Sequence, residues 1–231
     1  MRILGLVPAR GGSTRLPRKN LARLEGRTLV RRALDAALGA GALDEIVLSS
    51  DDPEILAEAE PLPGVTALAR PEALATPEAR AYHVVLHALA ALEGAGSPRF
   101  DAVAIVQASS PFTLPEDVAA TVELLDRTGA GSAVSVVRAD YAAHPHKLLL
   151  MEGERLRPFM AGADGLLPEE ALPALWLRNG SVYVSRRDTL EAGRLLSEDV
   201  RGHAMPAERS LDVNTPLDLA WAEFLLARGP Q

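Results

Sequence analysis

Short runs of consecutive apolar residues alternate with helical patterns through the first 140 residues of this chain. Residues 3–7, 46–48, 102–106 and 133–137 read as strands, and their apolarity is continuous, not alternating. Continuous apolarity is typical of strands that helices cover on both faces. Residues 29–38 between the first two strands place their apolar side chains on one helical face. The pattern predicts an α/β fold with a mostly parallel central sheet and helices on both faces.

Proline after a capping residue predicts where three later helices begin. The pairs are Asp52-Pro53, Thr76-Pro77 and Thr215-Pro216. The last helix is expected to run over residues 215–228, with Leu219, Phe224 and Leu226 partly buried. Glycines and prolines interrupt the pattern over approximately residues 139–173. We interpret that stretch as an insertion within one domain spanning residues 1–231, not as a second domain.

Composition restricts the function. The net charge of -7 and the isoelectric point near 5.3 argue against nucleic acid as a partner, because phosphate-backbone binding needs clustered cations. One basic cluster nevertheless lies in the first 27 residues and would suit a small polyanion; it consists of Arg10, Arg15, Arg18, Lys19, Arg23 and Arg27. The chain has no cysteine and no apolar stretch of membrane-spanning length. We therefore expect a cytoplasmic protein with no membrane partner.

The stretch from Pro8 to Asn20 carries the strongest chemical signal. It leads from the first predicted strand into a loop in which Gly11 and Gly12 are followed by several cations. Adjacent glycines allow backbone N–H groups to approach an anion, and a triphosphate needs several cations to offset its charge. The sequence contains neither the dinucleotide-binding Gly-x-Gly-x-x-Gly pattern nor the Gly-x-x-x-x-Gly-Lys pattern. The residues alone leave a solvated basic loop as the alternative.

Several segments resemble one enzyme family in order along the chain. Beside the loop 8–20, they are residues 50–51, 70–72, 107–111, 144–147, 178–180 and 211–216. Together they resemble the acylneuraminate (CMP-sialic acid) cytidylyltransferases, whereas residues 13–17 are similar to the loop of the related CMP-KDO synthetases. This resemblance implies a Rossmann-like nucleotidyltransferase fold with a small insertion for dimerisation and substrate capping at approximately residues 139–173. It also implies a homodimer that transfers CMP from CTP to an acidic sugar.

The resemblance also implies roles for individual residues. Nucleotide binding falls to Pro8, Ala9, Arg10, Gly11, Gly12, Ser13, Lys19, Asn20, Arg70 and Gln107, and catalysis to Arg10, Arg15 and Lys19. Sugar binding falls to His146, Lys147, Arg178 and Asn179. Asp212 would hold the catalytic Mg²⁺, with Asn214 as a second candidate ligand. Gln107 has a separate argument, because it follows a predicted strand at the end where open α/β sheets bind ligands.

The sequence departs from the family pattern at named positions. Thr14 stands where the sialic type has Lys, so Arg15 would supply that charge. Asn214 stands where a second carboxylate is expected. Three alternatives therefore stay open: a CMP-KDO synthetase-like or other sugar nucleotidyltransferase, a non-catalytic nucleotide-binding regulator, and an α/β scaffold that binds no nucleotide.

Overall fold

The computed structural model describes residues 1–163 and 167–228. The helices are α1 (Leu29–Gly39), α2 (Pro53–Leu56), α3 (Ala81–Gly94), α4 (Pro115–Thr128), α5 (Arg187–Glu191) and α6 (Pro216–Ala227). The strands are β1 (Ile3–Pro8), β2 (Arg23–Leu24), β3 (Arg27–Thr28), β4 (Glu45–Ser50), β5 (Val65–Ala69), β6 (Ala102–Val106), β7 (Ser132–Arg138), β8 (Leu149–Glu152), β9 (Arg155–Pro158), β10 (Trp176–Arg186) and β11 (Val200–Ala204).

The central sheet has seven strands in the order β11-β7-β10-β6-β1-β4-β5. Parallel pairs join β1 to both β4 and β6, β4 to β5, and β7 to β11. The exception is β10, which runs antiparallel to both of its neighbours, β6 and β7. The mostly parallel sheet expected from the continuous apolar runs is therefore confirmed.

Alternate residues of β1 point to opposite faces of the sheet and enter two different cores. Ile3 and Val7 join a cluster with residues of α1, α2 and α4, such as Leu34. Leu4 and Leu6 join residues of α3 and α5 on the other face. Full burial of each of these leucines contributes ~1.5–3 kcal/mol relative to exposure. Helices thus cover both faces, which is why the strand carries no polar side.

The chain leaves the sheet after Arg138 and returns at Trp176. Between them, β8 and β9 form an antiparallel hairpin whose large apolar side chains are mostly exposed, including Met151 at 72%. This hairpin lies in the range 139–173 expected to form the insertion, of which residues 164–166 lie outside the described residues. Its role in dimerisation stays a prediction.

Two of the three expected helix starts are confirmed. The side chain of Asp52 accepts a hydrogen bond from the backbone of Glu54, and that of Thr215 accepts one from Asp218. The start at Thr76-Pro77 is wrong, because that motif closes only one turn, in which the backbone N–H of Ala79 donates to Thr76, and α3 begins at Ala81.

The expected burial of Phe224 is also wrong. Phe224 is 43% exposed and lies on the same side of α6 as Leu217 and Trp221. The helix is apolar on more than one side, and the side that it buries is the one with Leu219, Ala222 and Leu226. In the described parts of the chain, every helix is too short or too polar to cross a membrane.

Candidate active site

The sheet changes its winding direction between β1 and β6. From β1 the chain moves outward to β4 and β5, and then crosses back to place β6 on the other side of β1. Such a switch point leaves a crevice beyond the carboxyl ends of the two strands, where open α/β sheets bind ligands. A cleft of ≈ 240 Å³ lies there, and its walls include Pro8, Arg10, Ser13, Lys19, Asn20, Arg70 and Gln107. The structure thus brings seven of the predicted nucleotide-binding residues together.

The glycine loop is held close to the end of β4. The backbone N–H of Gly11 donates to the carboxylate of Asp51 at 3.0 Å. A Cβ on Gly11 would lie 2.9 Å from the Cβ of Asp52, so only glycine allows this approach. Asn20, which is 6% exposed, donates from its side-chain amide to the carbonyl of Arg10 at 2.9 Å. These contacts fix the path of the loop. Gly11 contributes to them its backbone N–H and its lack of a side chain.

The cations of the loop face one another across the cleft. Burial lowers the pKa of Lys19, and the positive charges of Arg15 and Arg10 lower it further, whereas Asp212 acts in the opposite direction. Within residues 1–163 and 167–228, Arg10 and Arg15 form no ion pair. A cluster of unneutralised cations repels itself and is stabilised by an anion with several charges. The arrangement is therefore suited to a polyphosphate.

Arg70 and Gln107 line the same cleft from β5 and β6. Arg70 is 9% exposed, and its guanidinium donates to the carbonyl of Ser49 at 2.7 Å and to its hydroxyl at 3.2 Å. Burial lowers the pKa of Arg70, although Asp51 opposes the shift. Gln107 directly follows β6, and its backbone N–H donates to the carbonyl of Ser181 at 3.0 Å. Both residues thus have their backbones anchored and their side chains at the cleft.

The segment that carries Asp212 packs against the loop that carries Lys19. A third apolar cluster, with Leu24, Leu29, Val213 and Ala222 as its buried members, joins the two segments. The ammonium of Lys19 donates to the Asn214 side-chain oxygen at 3.0 Å, and the Asn214 side-chain nitrogen donates to Oδ2 of Asp212 at 2.6 Å. Residues 193 positions apart in the sequence therefore form one polar chain at the mouth of the cleft.

Asp212 is the acidic residue of this polar chain and the candidate metal ligand. Among residues 1–163 and 167–228, no group of three or more His, Cys, Asp or Glu side chains could hold a metal ion. Mg²⁺ does not require such a group, since it takes most of its ligands from phosphates and water. An exposed carboxylate beside a cationic cleft fits that type of site.

A second cleft of ≈ 430 Å³ adjoins the first and shares Ala81 and Gln107 with it. Arg178 and Tyr183 of β10 line it, together with the apolar side chains of Ile105, Leu177 and Leu195. Burial raises the pKa of the Tyr183 hydroxyl, so this group stays protonated and can donate a hydrogen bond. The cleft offers one cation, hydrogen-bonding groups and an apolar wall.

The structure places the other predicted sugar-binding residues differently. The side chain of Asn179 is buried and bonded to Ser135, Met205 and Ser210 at 2.6, 3.1 and 2.9 Å. His146 and Lys147 lie in a turn after β7, where the Lys147 ammonium sits 3.7 Å from the centre of the Tyr141 ring. Neither lines the two clefts in the described part of the chain.

Sequence reasoning missed several residues of the clefts. Thr14, Leu16, Ala79, Ala81, Val84, Ala108 and Ser109 line the first, and Ile105, Leu177, Tyr183 and Leu195 the second. Ser109 lies within the segment 107–111 that resembles the family, which is the one sequence signal for it. The small and apolar residues carry no such signal, because their types are equally common in a core.

The sequence pattern of the cytidylyltransferase family matches residues 4–148, which contain most of the first cleft. The chain belongs to the cytidylyltransferase family. The family resemblance predicted from the ordered segments is therefore confirmed, and this cytidylyltransferase is a nucleotidyltransferase enzyme.

Named relatives are similar to this cytidylyltransferase, two over most of its length and one over about half of it. The CMP-N,N'-diacetyllegionaminic acid synthase of Legionella pneumophila is 31% identical over 98% of this chain and 97% of its own. The N-acylneuraminate cytidylyltransferase of Streptococcus agalactiae serotype V is 26% identical over 93% of this chain but 51% of its own. The pseudaminic acid cytidylyltransferase of Campylobacter jejuni is 36% identical over 48% of both chains.

Solved structures share the fold of this cytidylyltransferase. A CMP:2-keto-3-deoxy-manno-octonic acid synthetase complexed with CTP has a TM-score of 0.72 and 18% identity over 100% of both chains. The 4-diphosphocytidyl-2C-methyl-D-erythritol synthase of Anaerococcus prevotii has a TM-score of 0.65 and 13% identity over 98% of this chain and 96% of its own. At these identities the likeness concerns the fold, and it confirms the predicted Rossmann-like architecture.

Proposed function

We propose that this cytidylyltransferase couples CTP to an acidic sugar of the nonulosonic acid type, giving a CMP-sugar and pyrophosphate. The observation that carries the proposal is the adjoining second cleft, in which Arg178 faces an apolar wall. A carboxylate pairs well with a guanidinium, and N-acyl methyl groups suit leucine side chains. The names of the relatives from Legionella, Streptococcus and Campylobacter support the same substrate class.

The two clefts suggest how the substrates meet. CTP would place its phosphates among Arg10, Arg15 and Lys19, and its cytidine beside Arg70 and Gln107. The acceptor would lie beside Arg178, on the far side of Gln107. Gln107 is then the boundary between the two substrates, close to the α-phosphate. Holding both reactants in such an arrangement removes much of the entropic barrier to their reaction.

The chemical step is a displacement at phosphorus. The anomeric hydroxyl oxygen of the acceptor forms a bond to the α-phosphorus as the bond from that phosphorus to the oxygen bridging the β-phosphate breaks. The bridging oxygen leaves with pyrophosphate, and the hydroxyl proton passes to solvent. Arg10, Arg15 and Lys19 stabilise the negative charge that moves onto the leaving group. Binding the phosphates also relieves the repulsion that Arg15 and Arg10 exert on Lys19 in the free protein, which favours CTP binding.

We propose that Mg²⁺ binds at Asp212, with Asn214 holding the carboxylate in place. Mg²⁺ supplies Lewis-acid stabilisation of phosphate oxygens when it is bound. The donor set supports this proposal, because a single exposed carboxylate leaves room for the phosphate and water ligands that the ion prefers. Lys19, which Asn214 links to Asp212, would contact phosphates beside this site.

We also propose a homodimer formed through the insertion, acting in the cytoplasm. The large apolar side chains exposed between residues 148 and 177 are Leu148, Leu149, Leu150, Met151, Leu156, Phe159, Met160, Leu167, Trp176 and Leu177. A patch of this kind on a water-soluble chain marks an association surface, and two-fold pairing is the commonest closed form. His146 and Lys147 lie directly before this hairpin, so the proposed dimer would place them near its interface. The absence of cysteine fits a reducing compartment.

The test measures pyrophosphate release with each nucleoside triphosphate, Mg²⁺ and a panel of sugars. The panel contains an N,N'-diacetylated nonulosonic acid, N-acetylneuraminic acid, KDO and a neutral hexose. We expect release with CTP only, and faster release with the acylated acids than with KDO. Release with the neutral hexose at an equal rate would contradict the proposal.

A pair of variants separates the acceptor cleft from general effects of charge. Arg178→Ala should raise the KM for the sugar about 10- to 100-fold, as expected for a lost charge-assisted hydrogen bond, and leave the KM for CTP unchanged. Arg138→Ala is the matched control, since Arg138 ends β7 and pairs with Glu169 on the surface. Equal effects of the two variants would count against the assignment of Arg178.

A further inference from the structure

A buried serine lies beside Asp212 and takes no part in the substrate or metal contacts proposed above. Ser110 follows β6 and is 1% exposed. Its backbone is satisfied, since its N–H donates to Gln107 and its carbonyl accepts from the backbone and the hydroxyl of Thr113. Its side-chain oxygen is buried and, within residues 1–163 and 167–228, has no hydrogen-bond partner. A buried hydroxyl without a partner costs ~1–3 kcal/mol, so its persistence needs a reason.

Gly180 connects this hydroxyl to the Asp212 carboxylate. The pairing of β10 with β7 shifts between Arg178 and Tyr183, and Gly180 lies in that break with a φ of +84°. A Cβ built on Gly180 would lie 3.8 Å from Oγ of Ser110 and 3.9 Å from Oδ2 of Asp212. The two polar groups therefore face a common space of about the size of one methyl group, and only a glycine leaves it open.

We propose that Ser110 is a positioning residue for Asp212, acting through one water molecule bound in the space beside Gly180. A water fits where a small space has polar groups on more than one side, and here it accepts from Ser110 or donates to it while donating to Asp212. Asn214 already donates to Oδ2 of Asp212, so the water and Asn214 together fix that oxygen and leave Oδ1 for the cation. This inference rests on the proposed Mg²⁺ site.

The experiment measures how strongly Mg²⁺ improves CTP binding. The dissociation constant of CTP is determined calorimetrically in EDTA and in Mg²⁺, without sugar, and the ratio of the two values reports the coupling between cation and nucleotide. Ser110→Ala should reduce this ratio about 10-fold, as loss of a group that orients a metal ligand does, and leave the EDTA value unchanged. A purely structural role would change both dissociation constants together.

Ser132→Ala is the matched control. Ser132 is also a fully buried serine, but it lies at the start of β7, at the amino ends of the parallel strands and away from the cleft. Its hydroxyl accepts from the backbone of Ser197 at 2.9 Å. This variant should lower the unfolding midpoint and keep the wild-type ratio. Ser110→Ala should lower the ratio and keep the unfolding midpoint near that of the wild type, because it removes a hydroxyl that has no protein partner.

The outcomes separate the role of Ser110 from the presence of the Mg²⁺ site. If Ser110→Ala keeps the wild-type ratio, the role of Ser110 is wrong and the metal site stands. If the wild-type protein itself binds CTP equally well in EDTA and in Mg²⁺, the Mg²⁺ site and the role of Ser110 are both overturned.

Discussion

Replacing Asn214 with aspartate tests the polar chain from Lys19 to Asp212 directly. In the wild type the Asn214 amide donates to Oδ2 of Asp212 at 2.6 Å. Asn214→Asp turns this donor into a carboxylate and sets two negative charges against each other. Two unit charges ~4 Å apart repel by ~1 kcal/mol in water and ~4 kcal/mol at an effective dielectric constant of ~20. Asp212 is exposed, so we take ~1–2 kcal/mol for the repulsion.

Two further effects enter the free energy of unfolding. The lost hydrogen bond costs about 1 kcal/mol. The new carboxylate lies at the oxygen that already accepts from Lys19 at 3.0 Å, and such an ion pair returns ~0–1 kcal/mol. The net loss is about 2 kcal/mol without metal, which lowers the unfolding midpoint of a chain of this size by about 4–8 °C.

Mg²⁺ should reverse this loss, since a cation between two carboxylates converts their repulsion into attraction and stabilises the folded state by mass action. The assay is calorimetric unfolding in EDTA and at increasing Mg²⁺. Asn214→Ala is the control, because it loses the hydrogen bond to Asp212, and the one from Lys19 as well, without adding charge, and should not recover in Mg²⁺. The proposed role of this polar chain is wrong if the unfolding midpoint of Asn214→Asp matches that of the wild type in EDTA, or if Mg²⁺ raises its midpoint no more than that of Asn214→Ala.

Three further predictions concern Lys19, Asp117 and the hairpin. Burial lowers the pKa of Lys19, so between that pKa and the ~10.4 of an unfolded lysine the unfolded state holds more protons, and stability rises with pH. Lys19→Met should abolish this rise in a pH series of unfolding midpoints and weaken CTP binding at least 10-fold; an unchanged series would contradict the burial effect. The buried carboxylate of Asp117 accepts from Arg209 at 2.9 Å, so Asp117→Asn should lower the free energy of unfolding in urea by about 2 kcal/mol. A decrease below ~0.5 kcal/mol would mean that the pair contributes nothing. Met151→Asp should yield a folded monomer in light scattering, whereas a persistent dimer would place the interface elsewhere.

The sequence was informative where one physical effect dominates. The buried strands β1, β4, β6 and β7 have continuous apolar runs, and all four appear in the sheet. The edge strands β5 and β11 were missed, because β11 has no apolar run and Thr66 interrupts the apolar residues of β5, and the side chains of both strands are mostly exposed. The reversed direction of β10 also has no local signal, since strand direction depends on where the chain re-enters the sheet.

The same contrast applies to the site. Charge and glycine content sufficed to select the loop 8–20, and the position after β6 sufficed for Gln107, and both line the cleft. Asn179 lies beside the irregularity at Gly180, where the side-chain alternation of a strand is broken, and its amide is engaged with protein groups. Sequence patterns could not reveal this orientation, nor that Ser110 and Asp212 both lie beside Gly180.

The antiparallel course of β10 divides the two recognition tasks between separate stretches of chain. The loop after β1, Arg70 after β5, the start of α3 and residues 107–109 after β6 line the first cleft together with Asn214, whereas Leu177, Arg178, Tyr183 and Leu195 supply much of the neighbouring wall. Because β10 enters the sheet from the opposite end, its first residues reach the edge where β6 finishes. In the proposed arrangement of the substrates, we therefore expect mutations in this late stretch to alter acceptor preference and leave the triphosphate contacts intact, which makes it the natural target for redirecting the enzyme toward other sugars.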